Sequence, residues 1–214
     1  MIGLAGFSPL LLGLAVVAAL VTWVAVVADN RPLEYVGKPA VMLALIAFAV
    51  WMTPVSPTQR ALFIGAFALG LISDVFLMLP RDMFMAGLVA ALVEHVLYIA
   101  GFRARTFDAT LFIIASVIAI VSVAVFLPPI QRALSKGHPR LVMPVYAYVA
   151  VFVVMVASAG GSGSLVALGG ALLFFYSDAI LAWNRFVRPI RFGRVVNIVP
   201  YHLGQILLAL SLVL

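Results

Sequence analysis

The sequence contains no cysteine and few charged residues, and both shortages restrict what the protein can be. Without cysteine it has no disulfides, no thiolate nucleophile and no cysteine-ligated metal or iron–sulfur site, so only His, Asp and Glu remain as metal ligands. Charged residues make up 9% of the 214 residues, against about 25% in soluble globular proteins. This scarcity of charge excludes a soluble globular domain.

Long hydrophobic runs occupy most of the chain, in which 66% of residues are hydrophobic. Runs near 20 residues cross a hydrocarbon layer of about 30 Å as helices. Breaks rich in Pro, Gly, Arg and Asp predict an all-α, polytopic membrane helix bundle, formed by one integral membrane domain over 1–214. The first run lacks a basic leader, so we expect a retained helix rather than a cleaved signal peptide. The predicted spans are 8–28, 38–53, 61–79, 83–102, 107–127, 141–157, 163–184 and 195–213.

Basic residues are distributed unequally between alternate loops of this predicted bundle. Ten belong to the loops after the first, third, fifth and seventh spans, and three to the other side. By the positive-inside rule this places the richer side in the cytoplasm and both termini outside, in what we expect to be a bacterial inner membrane. The richer set is Arg31, Lys38, Arg81, Arg132, Lys136, Arg140, Arg185, Arg188, Arg191 and Arg194, and the poorer set is Arg60, Arg103 and Arg105. Because the net charge of +6 lies in such loops, we expect membrane lipids and not nucleic acid as partners.

A short segment occurs twice, about half the chain apart. Ser73-Asp74-Val75-Phe76-Leu77 in the third span matches Ser177-Asp178-Ala179-Ile180-Leu181 in the seventh, and an Arg follows each. The match predicts an internal repeat of 1–105 and 106–214, with four spans in each half. An even number of spans gives both halves the same direction, so the two aspartates lie at similar depth.

Asp74 and Asp178 are the candidate catalytic residues. An aspartate near mid-membrane costs about 3 kcal/mol, so each must face protein or water rather than lipid. Two at matched depth predict a shared polar cavity, although bonding between helices alone is an alternative role. Desolvation and mutual repulsion favour one neutral and one ionised carboxyl, which supplies a general acid and a general base. Acid-labile ether or acetal-like bonds suit such a pair.

Polar residues on two other spans are candidates for binding a substrate. They repeat at helical spacing, as expected for residues that line the interior of a bundle. They are Glu94, His95 and Tyr98 on the fourth span, and Asn197, Tyr201, His202 and Gln205 on the eighth.

Lys38 and two tyrosines of the sixth span lie near the predicted starts of their spans. Lys38 precedes Pro39 at the predicted start of the second span, where it can meet a lipid phosphate, meet a carboxylate, or extend its amine to the membrane surface. Tyr146 and Tyr148 are predicted to be interface anchors, because membrane tyrosines commonly lie at that depth.

Two other chemistries have weaker support. His95, His202, Glu94 and the two aspartates are able to ligate a divalent cation, but no HExxH-like spacing is present, so we predict no metal and no cofactor. Ser73 or Ser177 with His95 would need a nucleophile turn of the Gly-x-Ser-x-Gly type, and neither serine has one.

Taken together, the motifs resemble the YhhN-like lysoplasmalogenase family, and the resemblance extends over nearly the whole chain. Its most specific parts are the two Asp helices with the polar helices that follow them. The matching residues are Lys38-Pro39, Ser73-Asp74-x-x-Leu77, Phe84, Gly87, His95-x-x-Tyr98, Ser177-Asp178-x-x-Leu181, Tyr201 and Gln205.

The resemblance implies an eight-helix membrane hydrolase that cleaves the vinyl ether bond of a lysoplasmalogen, a lysophospholipid. It implies Asp74 and Asp178 as the acid–base pair, oriented by His95, Tyr98, Tyr201 and Gln205. Lys38 and Arg185 would hold the substrate phosphate. A proton-coupled transporter using the same carboxylates and a non-catalytic lipid-binding scaffold are the competing interpretations.

Overall fold

Eight α-helices make up the computed structural model, which describes residues 8–214. They are α1 (Ser8–Val27), α2 (Arg31–Trp51), α3 (Pro57–Met78), α4 (Phe84–Phe102), α5 (Ala109–Gly137), α6 (Val142–Gly161), α7 (Leu165–Ala182) and α8 (Gly193–Leu210). Seven are long and apolar enough to cross a membrane. The eighth, α8, is less apolar because it carries polar residues on its buried face. The prediction of an all-α membrane bundle is confirmed.

The loops after α1, α3, α5 and α7 lie at one end of the bundle, here called the basic end. Arg194, at the start of α8, contacts Asp29 of the α1–α2 loop at 2.6 Å. The ring of His138, after α5, packs 5.7 Å from the ring of Phe186, after α7. Since alternate loops meet in this way, consecutive helices run in opposite directions. Apart from Lys38, which lies inside α2, the Lys and Arg excess therefore belongs to one end of the molecule. Its cytoplasmic orientation stays a prediction.

The second helix begins seven residues earlier than the predicted residue 38, at Arg31. The Asn30 side chain accepts a hydrogen bond from the backbone N–H of Leu33, and Pro32 occupies the first turn, where its missing N–H costs nothing. Lys38 and Pro39 are therefore inside α2 and do not open it. Burial of Gly37, Val41 and Met42 holds α2 together through the interior proline.

The fifth helix continues ten residues beyond its predicted end at residue 127, through Pro128 and Pro129. Its 29 residues span roughly 43 Å, more than the hydrocarbon layer. Ile130 and Leu134 are buried against Val145 of α6. This packing holds the helix together where local propensity would end it.

Corresponding helix pairs in the two halves make the same contact. The Ser73 hydroxyl donates to the backbone oxygen of Gly87 across the α3–α4 interface, at 2.9 Å. The Ser177 hydroxyl donates to the backbone oxygen of Asn197 across α7–α8, also at 2.9 Å. Both serines are thus engaged as interhelical donors. The proposed repeat of two halves has this correspondence in its favour and stays a prediction.

Helices α7 and α8 cross closely at two glycines. A Cβ added to Gly170 would lie 2.9 Å from the backbone oxygen of Gly204, and a Cβ on Gly204 would lie 2.9 Å from that of Gly170. Neither backbone can retreat without separating the helices. This close approach holds Ser177, the residue before Asp178, against Asn197 of α8.

We expect Gly170→Ala to lower the free energy of unfolding by about 1–3 kcal/mol, because the added methyl overpacks the crossing. Gly169→Ala is the matched control, since its Cβ would meet only a leucine methyl at 3.7 Å. Unfolding in detergent, followed by circular dichroism, measures both. Equal stability of the two variants would show that the helices do not cross here as described.

Candidate functional site

A cavity lies among α2 to α8, and is called here the central cavity. Most of its wall is apolar, formed in part by Val123, Phe126, Leu127 and Ile130 of α5. Its polar lining residues are Lys38, Ser73, Asp74, Glu94, Tyr148, Ser177, Asp178, Asn197 and Tyr201. Both predicted aspartates therefore reach one chamber. This chamber offers polar groups at one place and a surface for a hydrocarbon chain at another.

Asp74 is held by a cation and a hydroxyl. The Lys38 ammonium lies 2.7 Å from Asp74 Oδ1, and the Tyr201 hydroxyl donates to Oδ2 at 2.8 Å. The side chains of Lys38 and Asp74 are 14% and 5% exposed, so this is a buried ion pair. Two charge-stabilising donors favour the carboxylate form of Asp74. Of the three roles left open for Lys38, the structure has it meeting a carboxylate.

Asp178 has a different environment. Its carboxyl accepts a hydrogen bond from the Tyr148 hydroxyl, and no lysine or arginine in residues 8–214 lies within ion-pair distance. A carboxyl in an apolar wall with no cation is held as the neutral acid at lower cost than as the carboxylate. The two aspartates thus share a cavity but differ in the charges around them.

Tyr148 is a site residue that the sequence interpretation missed. It was predicted to be an interface anchor, which is wrong: it is 9% exposed and bonded to Asp178. Tyr146, two residues away, is 38% exposed on the outside of the helix. The signal was the spacing of Val145, Tyr148 and Phe152, which places all three on the buried face of α6.

Glu94 adds a third carboxyl to the central cavity. It is 1% exposed and accepts a hydrogen bond from the Gln205 amide at 2.8 Å. The Tyr98 hydroxyl in turn donates to the Gln205 carbonyl oxygen at 2.6 Å. A Cβ on Gly70 would lie 2.7 Å from the Glu94 carboxylate, so this glycine makes room for it. Tyr98 and Gln205 therefore lie behind Glu94 and fix its position.

The two histidines lie apart from the carboxylates. His95 packs edge-on against Phe152 at 4.1 Å and Tyr148 at 5.2 Å, while its Nδ1 bonds to the Ala91 carbonyl oxygen. His202 Nδ1 accepts a hydrogen bond from the Trp23 indole at 3.0 Å, which ties α8 to α1. Residues 8–214 contain no cluster of three or more His, Asp or Glu side chains arranged to hold a metal ion.

Asn197 and Arg185 lie at different distances from the cavity. Asn197 lines the cavity, and its amide donates to the Ser177 backbone oxygen at 2.8 Å. Arg185 lies outside the cavity at the basic end, where it pairs with Asp82 at 3.0 Å.

The structure thus divides the predicted site residues into three groups by position. The largest group lines the central cavity, the second lies directly behind it, and the third lies farther away. The residues that line the cavity are Asp74, Asp178, Lys38, Glu94, Asn197 and Tyr201. Those directly behind it are Tyr98 and Gln205. Those farther away are His95, His202 and Arg185.

Removing one partner of the Lys38–Asp74 pair leaves an uncompensated buried charge. We expect Lys38→Met to lower the free energy of unfolding by about 3–5 kcal/mol, and the double variant Lys38→Met/Asp74→Asn to recover part of that loss. Lys136→Met, at an exposed position, is the control and leaves stability unchanged. Equal stability of Lys38→Met and Lys136→Met would contradict a buried ion pair.

Comparison with known proteins gives several matches over most of the chain. Lysoplasmalogenase TMEM86B of Homo sapiens is 29% identical over 173 residues, which is 79% of this chain and 71% of the relative. The Mus musculus protein of the same name is 28% identical over the same shares. Membrane protein YhhN of Escherichia coli O157:H7 is 25% identical over 93% of this chain and 98% of its own length.

No solved structure matches the chain. The model of the YhhN family matches residues 33–212, which include the Lys38–Asp74 pair, Asp178 and every other side chain that lines the central cavity. This match covers far more than half of the sequence. The protein therefore belongs to the YhhN family.

Proposed function

We propose that this protein is a membrane hydrolase that cleaves the vinyl ether bond of lysoplasmalogens. The products are a fatty aldehyde and glycerophosphoethanolamine or glycerophosphocholine. Relatives named lysoplasmalogenase support a lipid hydrolase at the level of the family. The observation that carries the proposal for this chain is the pair of carboxyls, Asp74 and Asp178, in one apolar cavity with unlike electrostatic surroundings.

The shape of the central cavity suits a lipid with one chain. Its polar groups come from α2, α3, α4, α7 and α8 and from Tyr148 of α6. Helix α5 and the rest of the α6 lining contribute an apolar wall that includes Val123 and Val149. A hydrocarbon tail against that wall is removed from water and directs the polar end of the lipid toward the carboxyls. Entry from the bilayer between helices requires no passage through water.

The first chemical step is proton transfer to carbon. Asp178, as the neutral acid, protonates the alkene carbon remote from the ether oxygen, and the alkene electron pair forms the new C–H bond. The substrate becomes an oxocarbenium ion and Asp178 becomes a carboxylate beside it. This opposite charge stabilises the cation in a wall that excludes water.

The remaining steps return both protons. Asp74, as the carboxylate, takes a proton from water as the water oxygen attacks the oxocarbenium carbon, and a hemiacetal forms. Asp74 then protonates the glycerol oxygen as the C–O bond breaks, while the hemiacetal hydroxyl gives its proton to Asp178. Aldehyde and alcohol leave with each carboxyl in its starting form. Lys38 favours the return, because a neutral Asp74 beside an ammonium is less stable than the ion pair.

Positioning roles follow for the other polar residues. Tyr201 and Tyr148 orient Asp74 and Asp178 through their hydroxyls, and Glu94 contributes a hydrogen-bonding group between them. His95 supports Tyr148 by packing, and His202 anchors α8 through Trp23. We also propose that the basic end faces the bacterial cytoplasm, on the strength of its Lys and Arg excess.

Loss of either carboxyl is expected to abolish turnover. Asp74→Asn and Asp178→Asn should each lower aldehyde release from a lysoplasmalogen by about 100-fold or more, because each removes one proton-transfer group. Asp108→Asn, in the loop before α5, is a control outside the cavity. Purified protein in detergent has no second compartment, so a transporter or scaffold would release no aldehyde. Near-normal turnover by either cavity variant would contradict the mechanism.

Isotope exchange distinguishes the acid from the base. In deuterated water, Asp74→Asn retains the acid, which delivers deuterium to the alkene carbon. When the new single C–C bond rotates, the Asp178 carboxylate can remove the original hydrogen instead of the deuterium, so recovered substrate should carry deuterium at that carbon although hydrolysis is blocked. Asp178→Asn lacks the acid and should leave the substrate unlabelled. Mass spectrometry of recovered lipid measures both variants. Labelling by Asp178→Asn but not by Asp74→Asn would reverse the assignment.

A further inference from the structure

A second pocket opens at the basic end, next to the central cavity. It is called here the outer pocket, and its lining includes Asp82, Phe84, His138, Arg185 and Phe186. Phe84 and Phe186 line the central cavity as well, and their rings meet edge to face at 5.5 Å. The two aromatic rings are thus the shared wall between the cavity and the pocket. A molecule with its reactive bond in the cavity would extend its polar end past this wall.

The outer pocket presents one cation and one anion side by side. Arg185, in a π-helical turn that follows α7, bonds to both carboxylate oxygens of Asp82 at 3.0 Å, and its guanidinium lies 4.3 Å over the Phe84 ring. The Phe84 backbone N–H and the Arg185 guanidinium lower the pKa of Asp82 below its ordinary value, so it is ionised at neutral pH. Both charges are therefore present whenever a substrate arrives.

This ion pair is exposed and can rearrange at small cost. The side chains of Arg185 and Asp82 are 38% and 72% exposed, and exposed pairs add little to stability. By contrast, Arg194 is held by both Asp29 and Glu34, a contact that already has a structural role between α8 and α2. The Arg185–Asp82 pair joins the π-helical turn after α7 to the α3–α4 loop at the outer pocket. There a ligand can replace either partner of the pair.

We propose that the outer pocket is the head-group subsite and that it selects zwitterionic lysophospholipids. Arg185 binds the phosphate, and Asp82 binds the ammonium of phosphoethanolamine or phosphocholine. The inference rests on the proposed function, because it takes the lipid in the central cavity to be a lysophospholipid. When a zwitterionic head group binds, the Arg185–Asp82 ion pair is replaced by two, Arg185 with the phosphate and Asp82 with the ammonium. A head group that ends in phosphate pairs with Arg185 and leaves Asp82 without a cation. The outer pocket thus discriminates by charge and not by size.

The substrate and the Arg185 side chain together can span the distance from the cavity to the outer pocket. Five bonds separate the vinyl ether oxygen from phosphorus and four more lead to nitrogen, which is roughly 6 Å and roughly 11 Å when extended. Asp178 and Arg185 are seven residues apart on α7 and its π-helical extension, or about 10 Å along the axis. The Arg185 side chain can turn back toward a phosphate from there. Asp82 lies in the α3–α4 loop, against Arg185, where the ammonium next to a bound phosphate can meet it.

Binding of lipids that cannot be hydrolysed tests the subsite without turnover. The probes are saturated-ether lysophosphatidylethanolamine and the matching saturated-ether lysophosphatidic acid, which differ by the ethanolamine group. Their dissociation constants are measured by isothermal titration calorimetry on the full chain in detergent. The variants are Asp82→Asn and Arg185→Gln, with Arg191→Gln as an exposed arginine control at the same end.

Selectivity is the readout that identifies the subsite. Asp82→Asn should weaken the ethanolamine lipid about tenfold and leave the phosphate lipid as tight or tighter. Arg185→Gln should weaken both by a similar factor, and Arg191→Gln neither. The exchanged pair Asp82→Arg/Arg185→Asp restores the ion pair, so it would regain wild-type selectivity if the pair were only structural, and should not regain it here.

Failure of this inference and failure of the proposed function give different results. If wild type releases aldehyde from a vinyl ether lysolipid but Asp82→Asn shifts both probes equally, the head-group subsite is wrong and the hydrolase stands. If wild type releases no aldehyde but Asp82→Asn alters selectivity as expected, the subsite stands and the vinyl ether chemistry is wrong.

Discussion

The ion pair between Lys38 and Asp74 is the interaction on which the site depends. A carboxylate inside a bilayer is expensive, and a lysine from the neighbouring helix at 2.7 Å lowers the cost of keeping it ionised there. The pair also makes the two aspartates unequal. Within residues 8–214, Asp178 is bonded to a tyrosine hydroxyl and to no cation, so it is the carboxyl that keeps its proton more easily. Unlike carboxyls in one cavity are the requirement for acid–base chemistry on a bond that needs both.

The helix packing places these groups and separates them from the rest of the bundle. Close crossing at Gly170 and Gly204 brings α8 against α7, and Gly70 leaves space for Glu94 behind the carboxyls. Phe84 and Phe186 then form the wall between the apolar cavity and the charged mouth. A lipid in this arrangement would have its tail, its reactive bond and its head group each in a different environment. These three successive environments are the reason for proposing a single-chain phospholipid as the substrate.

Much of this could be predicted from the sequence, for identifiable reasons. Long apolar runs predict the helix bundle. The cost of intramembrane charge identifies Asp74 and Asp178 as candidates for a shared cavity, and both line one. The start of α2 was missed because an Asn cap with Pro32 competes with Pro39 as a boundary signal, and the end of α5 because packing of Ile130 and Leu134 overrides Pro128 and Pro129. Tyr148 was missed because two nearby tyrosines look alike until the buried face of α6 is known. The Arg185–Asp82 pair could not be predicted from the sequence, because Asp82 lies in a loop and helical spacing does not relate it to Arg185.

Infrared difference spectroscopy of the carboxyl groups tests the central claim most directly. Protonated carboxyls absorb apart from carboxylates, so each aspartate can be assigned by its Asn variant in the purified protein at neutral pH. We predict that Asp178→Asn removes a protonated-carboxyl band and that Asp74→Asn removes only carboxylate absorption. Loss of the protonated band in Asp74→Asn, with none in Asp178→Asn, would contradict the account.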